Sequence, residues 1–250
     1  MITIYAHPRC ADSYHIWRLL QQNLLLDSVK FINTQNYPLS ALEHSVYSVP
    51  AFATDEKVVL QGFFTDEEVL ELVKTGYIKV EDEDIAYQRL VKSIFSSFLT
   101  ASIVYLQGTF EPLIYANQYL LSASGASFLP FERQRKFLEL AYTRLKELKV
   151  TTEDERKFFR IIAGNFLRDL YWLKKRKISR EILESIDESY FYDWFMQRVS
   201  LGRVFVPHSQ SLPPESSERI RKAWNYTLER FDVLLSKVRE EQESIPENWL

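Results

Sequence analysis

The apolar pattern of the chain changes near residue 80, and this change constrains the fold more than any other feature. Before Tyr77 the apolar runs are short and rich in β-branched and aromatic types, which is typical of strands. From Asp84 onward the apolar residues recur at three- and four-residue intervals, the spacing of one helix face. We therefore expect a domain with strands over residues 1–78, a linker over 77–84, and a larger all-helical domain over 84–250.

The first 80 residues are predicted to alternate strands and helices. Strands are predicted over residues 2–5, 29–33, 50–54 and 57–61, and helices over 13–23, 38–45 and 65–76. The third helix has Thr65 before its first turn and Glu68 three residues later, the capping-box pattern, and Gly76 closes it. The resulting order, β-α-β-α-β-β-α followed by helices alone, belongs to the α+β class.

The second half is predicted to be helical apart from one loop. Helical spacing covers residues 87–99, 111–122, 131–148, 152–176, 180–200 and 215–243. Thr152 and Glu155 form a second predicted capping box. The loop is predicted over residues 202–217, which contain three prolines. The aromatic stretch 190–195 is interpreted as core.

Composition limits the classes of function. A net charge of −3 over 250 residues gives no overall field that would attract nucleic acid. The chain contains one cysteine and therefore no internal disulfide, and its first ten residues lack the pattern of a secretory signal. We expect a cytoplasmic protein without a nucleic-acid partner.

One long stretch of low charge raises the question of a membrane-spanning helix. Between Lys92 and Glu132 the only charged residue is Glu111. The stretch also contains many serines, together with asparagine, glutamine and proline, which a spanning helix disfavours. We expect two buried helices here and no membrane partner.

Cys10 is the candidate reactive residue. It lies where the first strand is predicted to end and the first helix to begin. The unpaired N–H groups and the positive dipole end of a helix stabilise a thiolate, so we expect the pKa of Cys10 to lie below the free-thiol value of about 8.5. His7 and Arg9 flank it and would add positive charge. The alternative is a small residue that fits the turn and has no chemical role.

The residues around Cys10 resemble the active-site turn of the glutaredoxins. That family has the pattern Tyr-x-x-Pro-x-Cys-x-x-Cys, and this chain has Tyr5, Pro8, Cys10 and Ser13 in the same register. A later segment is similar to the family's Val-Pro dipeptide and to the Asp and Gly that follow it. Its matching residues are Val49, Pro50, Asp55 and Gly62. The two segments occur in the family's order, and the resemblance implies a thioredoxin-like fold for residues 1–78.

The resemblance also implies where a cosubstrate binds. In the family the Val-Pro peptide is cis, so Val49 would offer its backbone groups to an extended cysteinyl ligand beside Cys10, in a groove at Pro50. The amides at Thr65 and Asp66 would bind a carboxylate at the start of a helix. The implied cosubstrate is glutathione, another low-molecular-weight thiol or a cysteinyl peptide.

Departures from the family pattern limit the activity. Ser13 replaces the resolving cysteine, which excludes a dithiol cycle but leaves a one-thiol cycle in which an external thiol releases Cys10. Alternatively, Cys10 or Ser13 stabilises the thiolate of a cosubstrate, as in the glutathione transferases, whose two-domain architecture this chain resembles. His7 stands where many glutaredoxins have lysine, and we count it with Arg9 among the cosubstrate-binding residues.

The sequence thus leads to the hypothesis of a thiol-dependent oxidoreductase or transferase with Cys10 and Ser13 as catalytic residues. The alternative is a non-catalytic interaction protein that binds a protein partner through the groove or the helical domain. No metal is expected, because the residues between Cys10 and Ser13 match the iron–sulfur glutaredoxins poorly. A homodimer, the identity of the thiol and the acceptor are left open.

Overall fold

The structure, a computed structural model, describes residues 1–201 and 213–250. Its strands are β1 (Ile2–Ala6), β2 (Val29–Asn33), β3 (Ala51–Thr54) and β4 (Lys57–Gln61). Helices α1 (Ala11–Gln22), α2 (Pro38–Glu43) and α3 (Asp66–Thr75) alternate with them. The predicted α+β class and the order β-α-β-α-β-β-α are confirmed, and the strand bounds differ from the prediction by at most one residue.

The helices after α3 are shorter and more numerous than predicted. They are α4 (Glu83–Ser96), α5 (Phe98–Gln107), α6 (Asn117–Ser124), α7 (Phe131–Glu147), α8 (Thr152–Leu173), α9 (Arg180–Glu184), α10 (Glu188–Leu201), α11 (Pro214–Glu229) and α12 (Phe231–Glu243). The predicted helix 87–99 breaks at Ser97, which has extended backbone angles, and 215–243 breaks at Arg230. The predicted helix 111–122 begins with a 3-10 turn, Glu111–Tyr115, and 180–200 divides into α9 and α10. Residues 202–212 of the predicted loop lie outside the described residues, and 214–217 are helical.

The sheet is mixed, and its pairing brings two connecting segments to one edge. The strand order is β2-β1-β3-β4, with β1 parallel to β2 and antiparallel to β3. Ile4, Phe52 and Leu60 pair across three strands and are fully buried. Tyr5 pairs with Ala51. Since the chain leaves β1 and enters β3 at the same edge, the segment after β1 lies beside the segment before β3.

Side-chain and backbone hydrogen bonds fix both ends of α3 as predicted. The N–H of Glu68 donates to Oγ1 of Thr65 at 3.3 Å, and the N–H of Thr65 donates to Oε2 of Glu68 at 2.9 Å. Gly76 ends the helix in the left-handed region with φ of 74°. The capping box and the glycine C-cap are therefore confirmed.

The second predicted capping box is displaced by one residue. The N–H of Asp154 donates to Oγ1 of Thr151, and the N–H of Thr151 donates to Oδ2 of Asp154, in place of the predicted Thr152 and Glu155. Thr151 has the extended backbone of an N-cap, whereas Thr152 is already the first residue of α8. Two adjacent threonines left the sequence pattern ambiguous, and the prediction was wrong by one position.

By its internal contacts the chain divides into two compact units. The first contains Met1–Ser97, Leu113–Glu147 and Ile245–Leu250, and the second contains Phe98–Pro112 and Leu148–Ser244. This division differs from the predicted boundary near residue 80, because α4, α6 and α7 belong to the first unit. Gln118 of α6, for example, donates a hydrogen bond of 2.6 Å to the Val58 carbonyl of β4.

Aromatic side chains form part of the core of the second unit. The ring centroid of Phe166 on α8 lies 4.9 Å from that of Phe191 and 5.0 Å from that of Trp194. Phe191 and Phe195 are fully buried. The predicted core role of the aromatic stretch 190–195 is confirmed for these two residues.

Across residues 1–201 and 213–250, no single helix combines the length and the apolar composition needed to cross a membrane. The consecutive helices α4 and α5 meet that criterion only when they are taken together, and then by length and composition alone.

An ion pair between α4 and α7 makes the stability of the first unit depend on pH. Arg133 donates from Nε and Nη2 to the two carboxylate oxygens of Glu83, at 2.9 and 3.0 Å. These hydrogen bonds hold the pKa of the Glu83 carboxyl below its ordinary value of 4.5. Since the pKa is lower in the folded state, the stabilisation is complete above the ordinary value and is lost as pH falls through the lowered one.

We predict that Glu83→Gln lowers the free energy of unfolding at pH 7 by about 1 kcal/mol, because the charged acceptor is lost. The deficit should shrink as pH falls below 4.5, where the wild-type carboxyl is also protonated. Urea unfolding of both proteins at a series of pH values measures this difference. Glu132→Gln, at an exposed position on α7, is the control and should behave as wild type. A Glu83→Gln deficit that is constant with pH would contradict the assignment.

Candidate functional site

A tight turn after β1 carries Cys10 to the start of α1. The N–H of Cys10 donates to the His7 carbonyl at 3.0 Å, which places Pro8 and Arg9 at the two corners of the turn. The N–H of Arg9 donates to Nδ1 of His7 at 3.2 Å. Cys10 has an extended backbone and is the N-cap of α1, and its carbonyl accepts from the N–H of Tyr14. The predicted position of Cys10 at a helix start is confirmed.

The Cys10 sulfur faces the segment that precedes β3. Its Sγ lies 3.5 Å from the Val49 carbonyl oxygen and donates a hydrogen bond to it. The Val49–Pro50 peptide is cis, as the resemblance implied. Cys10 is only partly buried. The structure therefore brings together three of the predicted site residues, Cys10, Val49 and Pro50.

The groups around Cys10 have opposing effects on whether its sulfur is a thiol or a thiolate. The start of α1 favours a thiolate, because the N–H groups of the first turn and the positive end of the helix dipole lie there. The Val49 carbonyl favours the protonated thiol, since its oxygen accepts the S–H proton and repels negative charge. Asp12, in the first turn, adds a negative charge. A reactive thiolate therefore requires Sγ to turn from the Val49 carbonyl toward the helix N–H groups.

His7 and Ser13 hold the turn in place. The N–H of His7 donates to Oγ of Ser13 at 3.3 Å, and Ser13 is fully buried. Nδ1 of His7 accepts from the N–H of Arg9, so the His7 side chain is part of the turn. The geometry favours a positioning role for both His7 and Ser13.

Tyr5, the first residue of the glutaredoxin-like motif, is a core residue. It lies in a buried cluster with Ala51, Ala53 and Val58. Burial is the main cause that raises the pKa of its hydroxyl, which therefore stays protonated at neutral pH. Tyr5 supports the sheet that carries the site.

A buried glutamine fixes the segment that precedes the cis peptide. Oε1 of Gln61 accepts from the N–H groups of Tyr47 and Ser48, at 2.8 and 3.2 Å. Nε2 of Gln61 donates to the Ser45 carbonyl at 3.2 Å and to Oγ of Ser122 at 2.7 Å. Gln61 is fully buried, so one amide side chain satisfies three backbone groups of residues 45–48. It is a positioning residue for the segment that faces Cys10.

Sequence reasoning missed Gln61. It is the last residue of β4, which is otherwise apolar in its buried part. A polar side chain at the end of a buried strand was the available signal, because such a group must find partners within the protein. Ser97 was missed as well, although its Oγ donates to the Tyr47 carbonyl at 3.0 Å.

Two of the backbone amides after Gly62, those of Phe63 and Thr65, are engaged within the chain. The N–H of Phe63, which follows Gly62, donates to Oγ of Ser93 at 2.9 Å. The N–H of Thr65 donates to the Glu68 carboxylate of its own capping box. A ligand would have to displace these internal acceptors before it bound the same N–H groups.

The side chain of Asp66 connects the start of α3 to α1. Its Oδ1 lies 2.8 Å from Nε2 of His15, and both side chains are about half exposed. Asp66, Glu67 and Glu68 place three consecutive carboxylates in the first turn of α3. Glu68 is ion-paired with Arg89, and Asp66 contacts His15, so a ligand at this helix start would compete with these two partners.

A cavity that the structure contains does not include Cys10. In the part of the chain that the structure describes, no group of three or more His, Cys, Asp or Glu is placed to hold a metal ion. A cavity of about 310 Å³ is lined by Ile114, Tyr115, Asn117, Tyr142 and Lys146. None of the predicted site residues lines this cavity.

Comparison of the chain with protein-family models, with curated proteins and with solved structures gave no match.

We predict that Gln61→Met lowers the free energy of unfolding by about 3 kcal/mol, because the substitution keeps the volume but leaves several buried polar groups without partners. Hydrogen exchange at the amides of Tyr47 and Ser48 should accelerate more than exchange in the sheet. Gln22→Met, at an exposed position at the end of α1, is the matched control and should change neither quantity. Unchanged exchange at both amides in Gln61→Met would show that Gln61 does not hold the segment.

Proposed function

We propose that the protein is a thiol-dependent oxidoreductase or transferase that uses Cys10. The observation that carries this proposal is the position of Cys10, which is the N-cap of α1, is partly exposed, and lies beside the segment that ends in the cis Val49–Pro50 peptide. A helix start is a place where proteins activate cysteine. The facing backbone segment, held by Gln61, provides an ordered surface along which a cysteinyl ligand would lie.

We also propose that β1 to β4 with α1 to α3 form a thioredoxin-like domain of the glutaredoxin type. The order β-α-β-α-β-β-α and the placement of Cys10 between β1 and α1 support this assignment. The helices that follow support the likeness to the two-domain architecture of the glutathione transferases.

The proposed oxidoreductase reaction is thiol–disulfide exchange with one protein thiol. The Cys10 thiolate attacks one sulfur of a mixed disulfide, forms a new disulfide with it, and releases the other sulfur as a thiolate. The thiolate of a second low-molecular-weight thiol, such as glutathione, then attacks the Cys10 disulfide and restores the Cys10 thiolate. When Cys10 attacks the glutathionyl sulfur of a glutathione mixed disulfide, the substrate leaves as a thiol, one free glutathione is consumed, and the product is glutathione disulfide, whose second sulfur comes from the mixed disulfide.

The resolving step requires an external thiol because Ser13 cannot supply one. Ser13 is buried and accepts a hydrogen bond from the His7 N–H, so its hydroxyl is part of the turn. In the transferase version of the proposal, the Cys10 S–H donates to the thiolate of a bound cosubstrate, which attacks an electrophilic acceptor. The hydrogen bond that Cys10 already donates to Val49 supports this donor role.

The proposed cosubstrate contacts are backbone groups of Val49, the ring of Pro50, and the start of α3. Thr65 is engaged in its capping box, so Asp66 is the stronger of the two candidates there. The side chain of Asp66 is about half exposed and negatively charged, so it would bind the ammonium group of a γ-glutamyl or peptide ligand. Arg9, at the corner of the turn, is the candidate partner for a carboxylate.

A second candidate function is a non-catalytic protein that binds a protein partner. Tyr37 and Leu39, at the start of α2, are 63% and 69% exposed and would be covered by such a partner. The bond from Cys10 to the Val49 carbonyl favours the unreactive thiol and is also compatible with this function. The reactivity of Cys10 distinguishes the two functions.

We predict that the rate of alkylation of native Cys10 by iodoacetamide rises with pH and has its midpoint below about 8.5, because the helix start stabilises the thiolate. Cys10 is the only cysteine, so all labelling reports on this residue. The same protein unfolded in urea supplies the reference thiol, and Cys10→Ser should not label. Equal midpoints in the native and unfolded protein would contradict the proposed activation.

We predict that the protein catalyses reduction of a cysteine–glutathione mixed disulfide by glutathione, and that Cys10→Ser abolishes this turnover. Ser13→Ala should lower the rate only about fivefold, because it removes one hydrogen bond of the turn and no reacting atom. Turnover that is equal in wild type and Cys10→Ser would exclude the oxidoreductase version. If Cys10→Ser also left binding of a protein partner unchanged, the non-catalytic function would replace it.

A further inference from the structure

The segment Ile245–Leu250 packs against the beginning of the chain within the first unit. Ile245 and Trp249 are buried in a cluster with Ala6, the last residue of β1. The partly buried apolar side chains around this cluster are Ala11, Tyr14, Trp17, Phe31 and Leu250. Three of them belong to α1, so the segment covers the side of α1 that adjoins the Cys10 turn.

Trp249 donates a hydrogen bond to that turn. Its indole Nε1–H donates to the Pro8 carbonyl at 2.8 Å, across 241 positions of sequence. Its ring centroid lies 5.4 Å from that of Tyr14 and 6.2 Å from that of Trp17. The ring contacts fix the position of the indole, and Trp249 is 8% exposed, so the hydrogen bond is shielded from water.

The direction of the Pro8 carbonyl reports the type of the turn. In a four-residue turn the central peptide, here the one between Pro8 and Arg9, adopts two orientations that distinguish type I from type II. Type II requires a positive φ at the third position, which Arg9 does not have. In the observed orientation the Pro8 carbonyl accepts from Trp249 and the Arg9 N–H donates to Nδ1 of His7. Both groups of this peptide are therefore held.

The bond from Trp249 differs in its origin from three bonds that backbone N–H groups donate within the turn. The bonds from His7 to Ser13, from Arg9 to His7 and from Cys10 to His7 all lie within seven consecutive residues, 7–13. The bond from Arg9 to His7 restrains the same peptide, but its acceptor belongs to the turn and moves with it. A bond to a distant and buried side chain selects one orientation, because its donor stays in place.

We infer that Trp249 is a positioning residue for the Cys10 thiol, acting through the Pro8 carbonyl. This inference rests on the proposed function, since it concerns the reactivity of the same sulfur. The orientation of the Pro8–Arg9 peptide determines where the dipole of that peptide points beside Cys10 and where the Arg9 side chain begins. The segment 245–250 is accordingly a component of the thiol site, and the sequence motif around Cys10 does not contain all of the site.

The test compares Trp249→Phe with Trp17→Phe in the full chain. Trp249→Phe keeps an aromatic ring in the cluster but removes the indole donor. Trp17→Phe makes the same chemical change in the same cluster at a residue whose ring packs on Trp249. The two readouts are the backbone amide signals of Arg9 and Cys10 in ¹H–¹⁵N spectra and the pH profile of Cys10 alkylation.

We expect Trp249→Phe to shift both amide signals and to change the alkylation rate at neutral pH by about two- to tenfold, as loss of one hydrogen bond implies. Trp17→Phe should leave the amide signals and the profile close to those of wild type. Unchanged signals in Trp249→Phe would overturn the inference. Shifted signals with an unchanged alkylation profile would overturn it as well, because the turn would then move without effect on the thiol.

A measurement on the wild-type protein covers the case in which Trp249→Phe does not fold. The indole N–H of Trp249 should exchange with solvent slowly, as a buried and bonded donor does, and exchange at the rate of an exposed indole would overturn the inference. If the proposed function is wrong, the pH midpoint of Cys10 alkylation in the native wild-type protein should equal that in the unfolded protein. The two failures are therefore distinguishable.

Discussion

The antiparallel pairing of β1 with β3 is the constraint on which the rest of the site depends. Because Tyr5 pairs with Ala51, the turn that begins at His7 and the segment that ends at Pro50 must lie side by side at one edge of the sheet. Ile4 of β1 pairs with Phe52 of β3, and both side chains are fully buried, so this part of the strand pairing is shielded from water. The approach of Cys10 to the Val49 carbonyl is therefore a consequence of strand register.

Polar groups then determine the details that strand register leaves free. On one side of the site, Gln61 and Ser97 hold the backbone of the segment before the cis peptide. On the other side, Ser13 and Trp249 hold the turn before Cys10. Each anchor is buried or nearly so, where an unpaired polar group is costly, and each therefore specifies one backbone arrangement. The Cys10 sulfur lies between two segments that are fixed independently.

The sequence predicted what depends on near neighbours. The strands, the helix start at Cys10 and the Thr65–Glu68 capping box all follow from patterns within a few residues, and all are present. Where two local choices were equivalent, as for Thr151 and Thr152, the prediction was wrong by one residue. The partners of Gln61 and Trp249 lie up to 61 and 241 positions away, and no periodicity in the sequence connects them. The compact units depend on such distant contacts as well, since that of Gln118 with Val58 joins a later helix to the first unit.

The central claim is that a single sulfur, held between two fixed backbone segments, is available for exchange with a small disulfide. Intact mass spectrometry under non-reducing conditions, after incubation of the native protein with glutathione disulfide, tests this claim most directly. The account predicts one adduct with the mass of one glutathionyl group, removable by dithiothreitol and absent from Cys10→Ser. A native protein that stays unmodified, while the urea-unfolded chain acquires the adduct under the same conditions, would contradict it.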